Sequence, residues 1–352
     1  MDILHAITKQ TDFSLKLAEQ FMSTDENKNR NFVFSPLLVH IGLSMTTFGS
    51  GGPTQDQLLG FLGSKSINEI ELLLSQLFTP MLDDREALGG PRLSLANGVW
   101  VDRSLTLKPT FEKFVVESCK ATLKSVDFQS EADEVAKRVN AWAEEKTNGL
   151  IKQVLPPDSA NNLTRLILAN ALYFKGTWNN YFHKKLTSDR EFFLLNGISV
   201  RAPFMTTSGS QYFRAFDGFK VLRLPYKNGR DSEHRKIFHP KVQNKFGFEA
   251  SKVLKGKGLV RPFSSGGLTE MVRESGPGKE LFVAGMFQRS CVEVDEHGTE
   301  AASAFAVMCG GGPGPYEPMN FVADHPFMFV VREDVSGVVL FVGQVLNPLS
   351  TD

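Results

Sequence analysis

A nearly unbroken apolar run, LILANALYF at residues 166–174, limits the folds open to this chain. A strand with one solvent-exposed face alternates apolar and polar residues, whereas a strand covered on both faces is apolar along its whole length. We therefore predict a strand here with other elements packed on both of its faces. The chain of 352 residues is long enough for one large domain or for two or three small ones.

Helical periodicity dominates the first half of the chain, and strands dominate the second. Apolar spacing predicts a helix around Phe13 to Phe21, and Ser35-Pro36 predicts the start of a second helix. Two apolar arms at 327–331 and 338–342 predict a hairpin. Helices followed by strands without regular alternation indicate an α+β fold. Because no linker-like stretch separates two halves, we expect one domain over residues 1–352.

Capping patterns predict two further helix starts. Thr54 with Gln57 forms a capping box ahead of a leucine-rich segment. Ser130 and Asp133 are placed to cap a helix that ends at Asn148-Gly149.

Composition and motifs argue against several classes of function. The chain has 39 basic and 39 acidic residues, and a net charge of zero gives no support to a nucleic-acid or membrane-surface partner. Its three cysteines and seven histidines lack metal-ligand spacing, and no cofactor or hydrolase motif occurs, so we expect no metal, no cofactor and no enzymatic activity. No apolar run is long enough to span a membrane. The N-terminus has no basic segment followed by a sustained apolar one, which predicts an intracellular protein.

Six stretches in chain order together resemble the serpins, and their amino-acid sequences are most similar to those of the plant branch. They are NFVFSP at 31–36, VNAW at 139–142 with TNG at 147–149, LANALYFKGTW at 168–178, FGFEASKV at 246–253, DEHGTEAA at 295–302 and FVADHPF at 321–327. The resemblance covers essentially the whole chain. It implies a large mixed main sheet, two smaller sheets, about eight helices and an exposed reactive loop at residues 298–320.

The resemblance also implies a mechanism, in which the protein is a suicide substrate of a serine or cysteine protease. The protease cleaves the reactive loop and is acylated by it. The N-terminal arm of the loop then inserts as a new middle strand of a metastable main sheet and drags the enzyme with it. The partner would be the target protease, and the inhibitor would be a monomer. Many family members act outside cells, so the resemblance allows an extracellular site of action as well.

The first part of the expected loop suits such an insertion. Most residues of the expected hinge are small. The hinge consists of Glu296, Gly298, Thr299, Glu300, Ala301, Ala302, Ser303 and Ala304. In an extended arm Thr299, Ala301 and Ser303 share one face, and Glu300 and Ala302 lie on the other. Small side chains limit crowding when a strand enters between two existing strands.

The second part of the loop departs from what an inhibitor needs. Counting from the hinge as the family does places the reactive bond at Gly312-Pro313. The glycine offers no side chain to a specificity pocket, and the proline obstructs the usual protease binding pose. A shifted cut at Met308 or Cys309 is the alternative, and it would be directed at a chymotrypsin-like or cysteine protease.

Two more departures concern the sheets. Ser35 and Asn170 match a sheet-opening cluster of the family, but Leu38 stands where a serine is usual and Gln288 where a histidine is usual. Several tens of residues are missing near 228–245, where the resemblance implies core strands of the second sheet and two short helices. Missing strands expose apolar faces and strand edges, so we expect reduced stability and a tendency to aggregate.

Two hypotheses of function follow. The first is a serpin-type protease inhibitor with impaired activity, which the hinge favours. The second is a non-inhibitory serpin, kept as a binding or structural protein or as a degenerate copy. Gly312-Pro313, Leu38, Gln288 and the missing segment favour the second hypothesis.

Overall fold

A computed structural model gives the fold of the protein and describes residues 3–25, 27–81, 92–180, 182–207, 212–227, 237–240, 242–273, 281–294, 296, 321–333 and 336–350. The α-helices within these residues are α1 (Ile3–Ser23), α2 (Pro36–Phe48), α3 (Gly52–Leu62), α4 (Ile67–Met81), α5 (Pro109–Lys113), α6 (Phe128–Lys146) and α7 (Ala250–Gly256). A π-helical turn at Phe114–Ser118 continues α5, and 3-10 turns lie at Lys184–Leu186 and Arg261–Phe263.

The first two helices lie where the sequence predicts them. Phe13, Leu17 and Phe21 of α1 are buried at helical spacing. Helix α2 begins at Pro36, and the Ser35 hydroxyl accepts a hydrogen bond from the Leu38 N–H at 3.3 Å. Proline in the first turn loses no intrahelical hydrogen bond, because an N–H at that position has no partner inside the helix.

The predicted start of the third helix is wrong. Helix α3 begins at Gly52 with Gly51 as its N-cap, so Thr54 lies inside the helix and is buried. Gly52 has a φ of +52°, a value that few residues other than glycine adopt readily. The chain therefore turns into the helix at the glycine pair, and Pro53 occupies the first turn.

The predicted N-cap of helix α6 is also wrong, because the helix begins a few residues before Ser130. The N-cap is Asp127, whose carboxylate accepts a hydrogen bond from the Ser130 N–H at 3.0 Å. Glu131 has a non-helical backbone, so a kink follows the first turn close to the predicted start. The end of the helix is as predicted, since Asn148 and Gly149 follow it in the left-handed region.

The strands, in chain order, are β1 (Phe32–Phe34), β2 (Arg92–Asp102), β3 (Ala121–Val126), β4 (Leu166–Lys175), β5 (Ser188–Phe193), β6 (Ser199–Thr207), β7 (Tyr212–Phe216), β8 (Phe219–Arg223), β9 (Ile237–Pro240), β10 (Val242–Glu249), β11 (Met286–Val294), β12 (Phe321–Val322), β13 (Phe327–Arg332) and β14 (Val339–Val345). The main sheet has the order β10–β11–β4–β2–β3. It is mixed, because β11 is parallel to β4 and β2 is parallel to β3, whereas the other two pairs are antiparallel.

Strand β4 is covered on both faces, which confirms the prediction from its sequence. Ile167, Ala169 and Ala171 pack in one apolar cluster with residues of α6. Leu168 and Leu172 point the other way, into the larger core that contains α2. Since side chains alternate along a strand, two cores on opposite sides require apolar residues at almost every position.

The remaining strands form smaller sheets. The predicted C-terminal hairpin is present as β13 and β14, and with β1 it forms a second sheet of order β1–β14–β13. Strands β12, β9, β6 and β5 form a third sheet in that order. Strands β7 and β8 form a hairpin that pairs with no other described strand.

Helix α2 lies between the main sheet and the second sheet. It contacts β4 and β11 on one side and β14 on the other, and its residues from Pro36 to Thr47 are all buried. The hydroxyls of Ser44, Thr46 and Thr47 each donate to the carbonyl four residues earlier, at 2.8, 2.9 and 2.7 Å. These hydrogen bonds satisfy polar groups that would otherwise be costly to bury.

Candidate functional site

The candidate site is the seam between β4 and β11 in the middle of the main sheet. The two strands are parallel, and their register runs from Met286 opposite Leu168 to Cys291 opposite Tyr173. A strand that entered this seam in the opposite direction would form antiparallel ladders with both neighbours. The chain that follows β11 would run in this opposite direction if it reversed and returned alongside β11.

One half of the polar cluster at this seam joins β4 to β2. The Asn170 side chain donates through Nδ2 to Oδ1 of Asn97 at 2.6 Å. Asn97 in turn donates through Nδ2 to the backbone carbonyl of Cys119 at 2.8 Å. Both asparagines are buried, so each hydrogen bond replaces one that water would have made.

The other half of the cluster joins β11 to the start of α2. Gln288 donates through Nε2 to the Ser35 carbonyl at 2.9 Å, and Ser290 Oγ lies 3.3 Å from the same nitrogen. The Ser35 hydroxyl is engaged in capping α2, and Leu38 is a buried apolar residue. The Gln288 carbonyl oxygen, Oε1, is buried and has no hydrogen-bond partner among the described residues.

The structure therefore brings together all four residues predicted for this cluster. Asn170 and Gln288 are register partners across the seam, and Ser35 contacts Gln288 directly. Asn97 and Ser290 belong to the same cluster and were not predicted. Asn97 could have been identified, because it is an amide inside a strand that is otherwise largely apolar.

Glu296 holds the chain at the end of β11. Its side chain is buried, with 3% of the residue exposed, and Oε1 accepts a hydrogen bond from the Thr187 hydroxyl at 2.7 Å. Its backbone carbonyl accepts from the Phe182 N–H at 2.9 Å. These bonds fix the first residue of the predicted hinge to the segment directly before β5.

The rest of the predicted loop, including Gly298 to Ala304, Met308, Cys309 and Gly312-Pro313, lies outside the described residues. Among the described residues, no three His, Cys, Asp or Glu side chains are grouped so that they could hold a metal ion. No helix in the described part of the chain is long and apolar enough to cross a membrane. Burial raises the pKa of the Cys119 thiol, so this cysteine stays protonated at neutral pH.

Comparison with known proteins identifies this arrangement. The family model described as serpin (serine protease inhibitor) matches residues 8–232 and 227–348. The chain belongs to the serpin family. Serpins are protease inhibitors and not enzymes.

Plant serpins are among the relatives of this chain. Serpin-ZX of Arabidopsis thaliana is 44% identical over 391 aligned positions, which cover 99% of this chain and 100% of that protein. Serpin-ZXA of Oryza sativa subsp. japonica is 44% identical over 392 positions, which cover 99% and 98%. The native stressed conformation of Arabidopsis AtSerpin1 superposes with a TM-score of 0.89 and 42% identity, covering 99% of this chain and 100% of that one. Cleaved Serpin 42Da gives a TM-score of 0.84 and 25% identity, with 97% and 98% covered.

The alignments also measure what this serpin lacks. The alignment to Serpin-ZX has 391 positions and the chain has 352 residues, so at least 39 positions have no residue of this chain. The family match divides at residues 227–232, directly after the hairpin of β7 and β8. This is where the sequence comparison places the missing segment.

Proposed function

We propose that this serpin inhibits a serine or cysteine protease as a suicide substrate, by inserting the arm at 298–304 between β4 and β11. In this proposal residues 1–352 act as one domain, and residues 298–320 form its reactive loop. The observation that carries the proposal is the parallel pairing of β4 with β11, the strand directly before the loop. Because β4 and β11 are parallel, an arm that returns between them would be antiparallel to both strands.

The energy of insertion has to exceed the cost of ordering the arm. Fixing a backbone costs about 1–2 kcal/mol per residue. Two new ladders of hydrogen bonds offset this cost, and the small side chains of Thr299, Ala301 and Ser303 limit crowding inside the sheet. Glu296 supports the mechanism as a fixed pivot, because its hydrogen bonds to Thr187 and Phe182 hold the position from which the arm would turn back.

We further propose that this inhibition is impaired. Gly312-Pro313 is a poor bond for a protease to cut, so a cut at Met308 or Cys309 is the productive alternative and gives a shorter arm. Gln288 adds a second reason, because its buried Oε1 finds no hydrogen-bond partner in the described part of the chain, which leaves the cluster at the seam incompletely satisfied there. A non-inhibitory serpin is the second candidate function, and the same two observations favour it.

A gel assay separates the two candidates. The protein is incubated with a panel of serine and cysteine proteases, and an SDS-stable complex is expected with at least one of them. Ala301→Arg puts a charge on the face of the arm that Thr299 and Ser303 share, which in this proposal packs against the core beneath the sheet, so this variant should be cleaved without forming the complex. Ala302→Arg is the matched control, because it makes the same change on the opposite face, which already carries the charge of Glu300, and it should retain the complex.

Mass spectrometry of the cleaved loop then identifies the reactive bond. We expect the cut after Met308 or Cys309 in the complex-forming reaction, not at Gly312-Pro313. Clean cleavage of the unchanged protein by every protease, with no complex, would establish the non-inhibitory function instead. Equal loss of the complex in both alanine variants would contradict the proposed assignment of the two faces of the arm.

A further inference from the structure

The segment between α6 and β4, residues 147–165, covers part of the main sheet on the face where α6 lies. We call it the cover segment. It contributes buried apolar side chains to the same cluster as the β4 residues on this face, and those side chains are Ile151, Val154, Leu155 and Ala160. Phe287 of β11 also packs against this cluster. The cluster therefore includes residues from both sides of the seam between β4 and β11.

Arg289 joins β11 to the cover segment by a hydrogen bond. Its register partner on β4 is Ala171, which belongs to the cluster under α6, so the Arg289 side chain leaves the sheet on that same face. The guanidinium donates through Nη1 to the Gln153 carbonyl at 3.0 Å. Arg289 is half-buried, and a charged donor makes a stronger hydrogen bond than a neutral one.

The cover segment itself is held on the β4 side of the seam. Asn140 of α6 accepts through Oδ1 from the N–H groups of Val154 and Leu155, at 2.8 Å each, and donates through Nδ2 to the Leu155 carbonyl at 3.2 Å. Helix α6 is in turn anchored to β2, because the Asp102 carboxylate accepts a hydrogen bond from the Phe128 N–H at 3.0 Å. Strand β2 is the neighbour of β4 away from the seam, so the bond from Arg289 crosses the seam.

We propose that Arg289 is a strap that holds the seam closed and has to be released before an arm enters between β4 and β11. Neighbouring strands lie about 4.8 Å apart, so a strand that enters the seam moves β11 away from β4 by about that distance. The displacement exceeds the range of a hydrogen bond, so either the bond from Arg289 breaks or the cover segment leaves Asn140. The part of the strap in inhibition rests on the proposed function, whereas its part in keeping the seam closed does not.

Hydrogen exchange of backbone amides, measured on the full chain without a protease, tests the strap. Arg289→Met removes the donor and keeps a long side chain, so amides of β11 that face β4 should exchange about tenfold faster. Amides between β2 and β4 should keep their exchange rates, because the strap does not cross that pair of strands.

Arg165→Met is the matched control. Arg165 donates through Nη1 to the carbonyls of Asn162 and Thr164 at 2.8 and 2.9 Å, so its hydrogen bonds are of the same kind but stay within the cover segment. This variant should leave exchange in the seam unchanged. Arg289→Lys keeps a charged donor and should restore most of the protection. Arg289→Gln is polar but too short to reach the carbonyl, so it should behave like Arg289→Met and replaces that variant if it does not fold.

Unchanged exchange in Arg289→Met and Arg289→Gln would overturn the strap. Faster exchange that spreads equally to the pair of β2 and β4, or that Arg165→Met reproduces, would overturn it as well, because such a pattern reflects a general loss of stability.

The gel assay with proteases tests the part of the strap in inhibition separately. Arg289→Met should increase the share of SDS-stable complex relative to cleaved protein, because the arm enters a seam that opens more readily. An unchanged or smaller share would refute that part of the proposal. If no variant forms a complex with any protease, the proposed function fails, and the exchange measurement still decides whether Arg289 holds the seam closed.

Discussion

The main sheet and the second sheet both contain strongly apolar strands, but they differ in how completely the edges and faces of those strands are covered. In the main sheet, β4 has a neighbour on each side and a core on each face. In the second sheet, β14 also has a strand on each side, whereas β13 has β14 as its one neighbour among the described strands and exposed apolar residues on one face. The contrast teaches that equally apolar strands contribute differently to stability, because the fold removes different amounts of their apolar surface from water.

The hairpin of β7 and β8 extends the same contrast. Its exposed face carries Phe216 and Phe219, whose rings stack on each other at 4.8 Å and not on a second layer. A two-stranded hairpin that pairs with no other strand is at best marginally stable by itself. The family match divides at residues 227–232, shortly after this hairpin, so we expect the loss of stability from the missing segment to be concentrated there and at β13.

The largest expected change in the free energy of unfolding comes from creating a cavity beneath the main sheet. Leu168→Ala removes a fully buried side chain of β4 and should lower the free energy of unfolding by about 2–5 kcal/mol. Leu163→Ala makes the same substitution where the side chain is 77% exposed, and it should change stability by less than about 0.5 kcal/mol. Urea unfolding of the two variants measures the difference, and equal losses would refute a tightly packed core under β4.

The next largest effect is a dependence of stability on pH, and it arises in α2, the helix between the main sheet and the second sheet. Burial of His40 in α2 lowers its pKa from 6.5 to about 4. The folded state therefore binds this proton less readily than the unfolded state, so stability is complete above pH 6.5 and is lost as the pH falls towards 4. The loss should reach about 3 kcal/mol near pH 4.

Unfolding measured between pH 7 and pH 4 in the unchanged protein and in His40→Gln isolates this contribution. The variant cannot take up the proton, so its stability should fall less steeply over that range. If both proteins lose stability in parallel, His40 is not the group responsible.

A smaller effect is expected from the polar cluster at the seam. Asn97→Ala removes the hydrogen bonds to Asn170 and to the Cys119 carbonyl, and should cost about 1–3 kcal/mol because those groups are left buried without partners. A double-mutant cycle with Asn170→Ala tests the pairing. Strictly additive losses would show that the two asparagines do not stabilise each other.

The smallest effect is expected in the incomplete part of the molecule. Phe219→Ala should change the free energy of unfolding by less than about 1 kcal/mol, because the ring is 58% exposed and covers little core. Thermal unfolding followed by fluorescence provides the measurement. A loss comparable to that of Leu168→Ala would place the hairpin inside the cooperative core and would weaken the contrast between the two sheets.

The sequence specifies the elements of this fold better than it specifies their contacts. The β4 strand, the C-terminal hairpin and the Ser35 cap of α2 could be predicted, because each depends on a local pattern of apolar or capping residues. The caps of α3 and α6 could not, because Thr54 and Ser130 are competent caps whose use depends on the backbone around Gly51 and Asp127. Side-chain type alone does not determine that backbone.

The site shows the same division between local and distant information. The resemblance to serpins indicates Ser35, Leu38, Asn170 and Gln288 as one cluster. It does not reveal that Asn97 completes one half, or that no other residue described by the structure is a hydrogen-bond partner of Gln288 Oε1. Both facts depend on the register between strands that are far apart in the chain, and no pattern within a single strand fixes that register.

The hydroxyls of α2 have a consequence for how the main sheet can move. Ser44, Thr46 and Thr47 are satisfied by carbonyls of their own helix, so separating the strands above it sacrifices none of those three bonds. Gln288 is different, because its bond to the Ser35 carbonyl ties β11 to the helix. Detaching the sheet from its support therefore breaks this amide's hydrogen bond as well as apolar contacts, and the side chain at position 288 contributes a polar part of the resistance to parting.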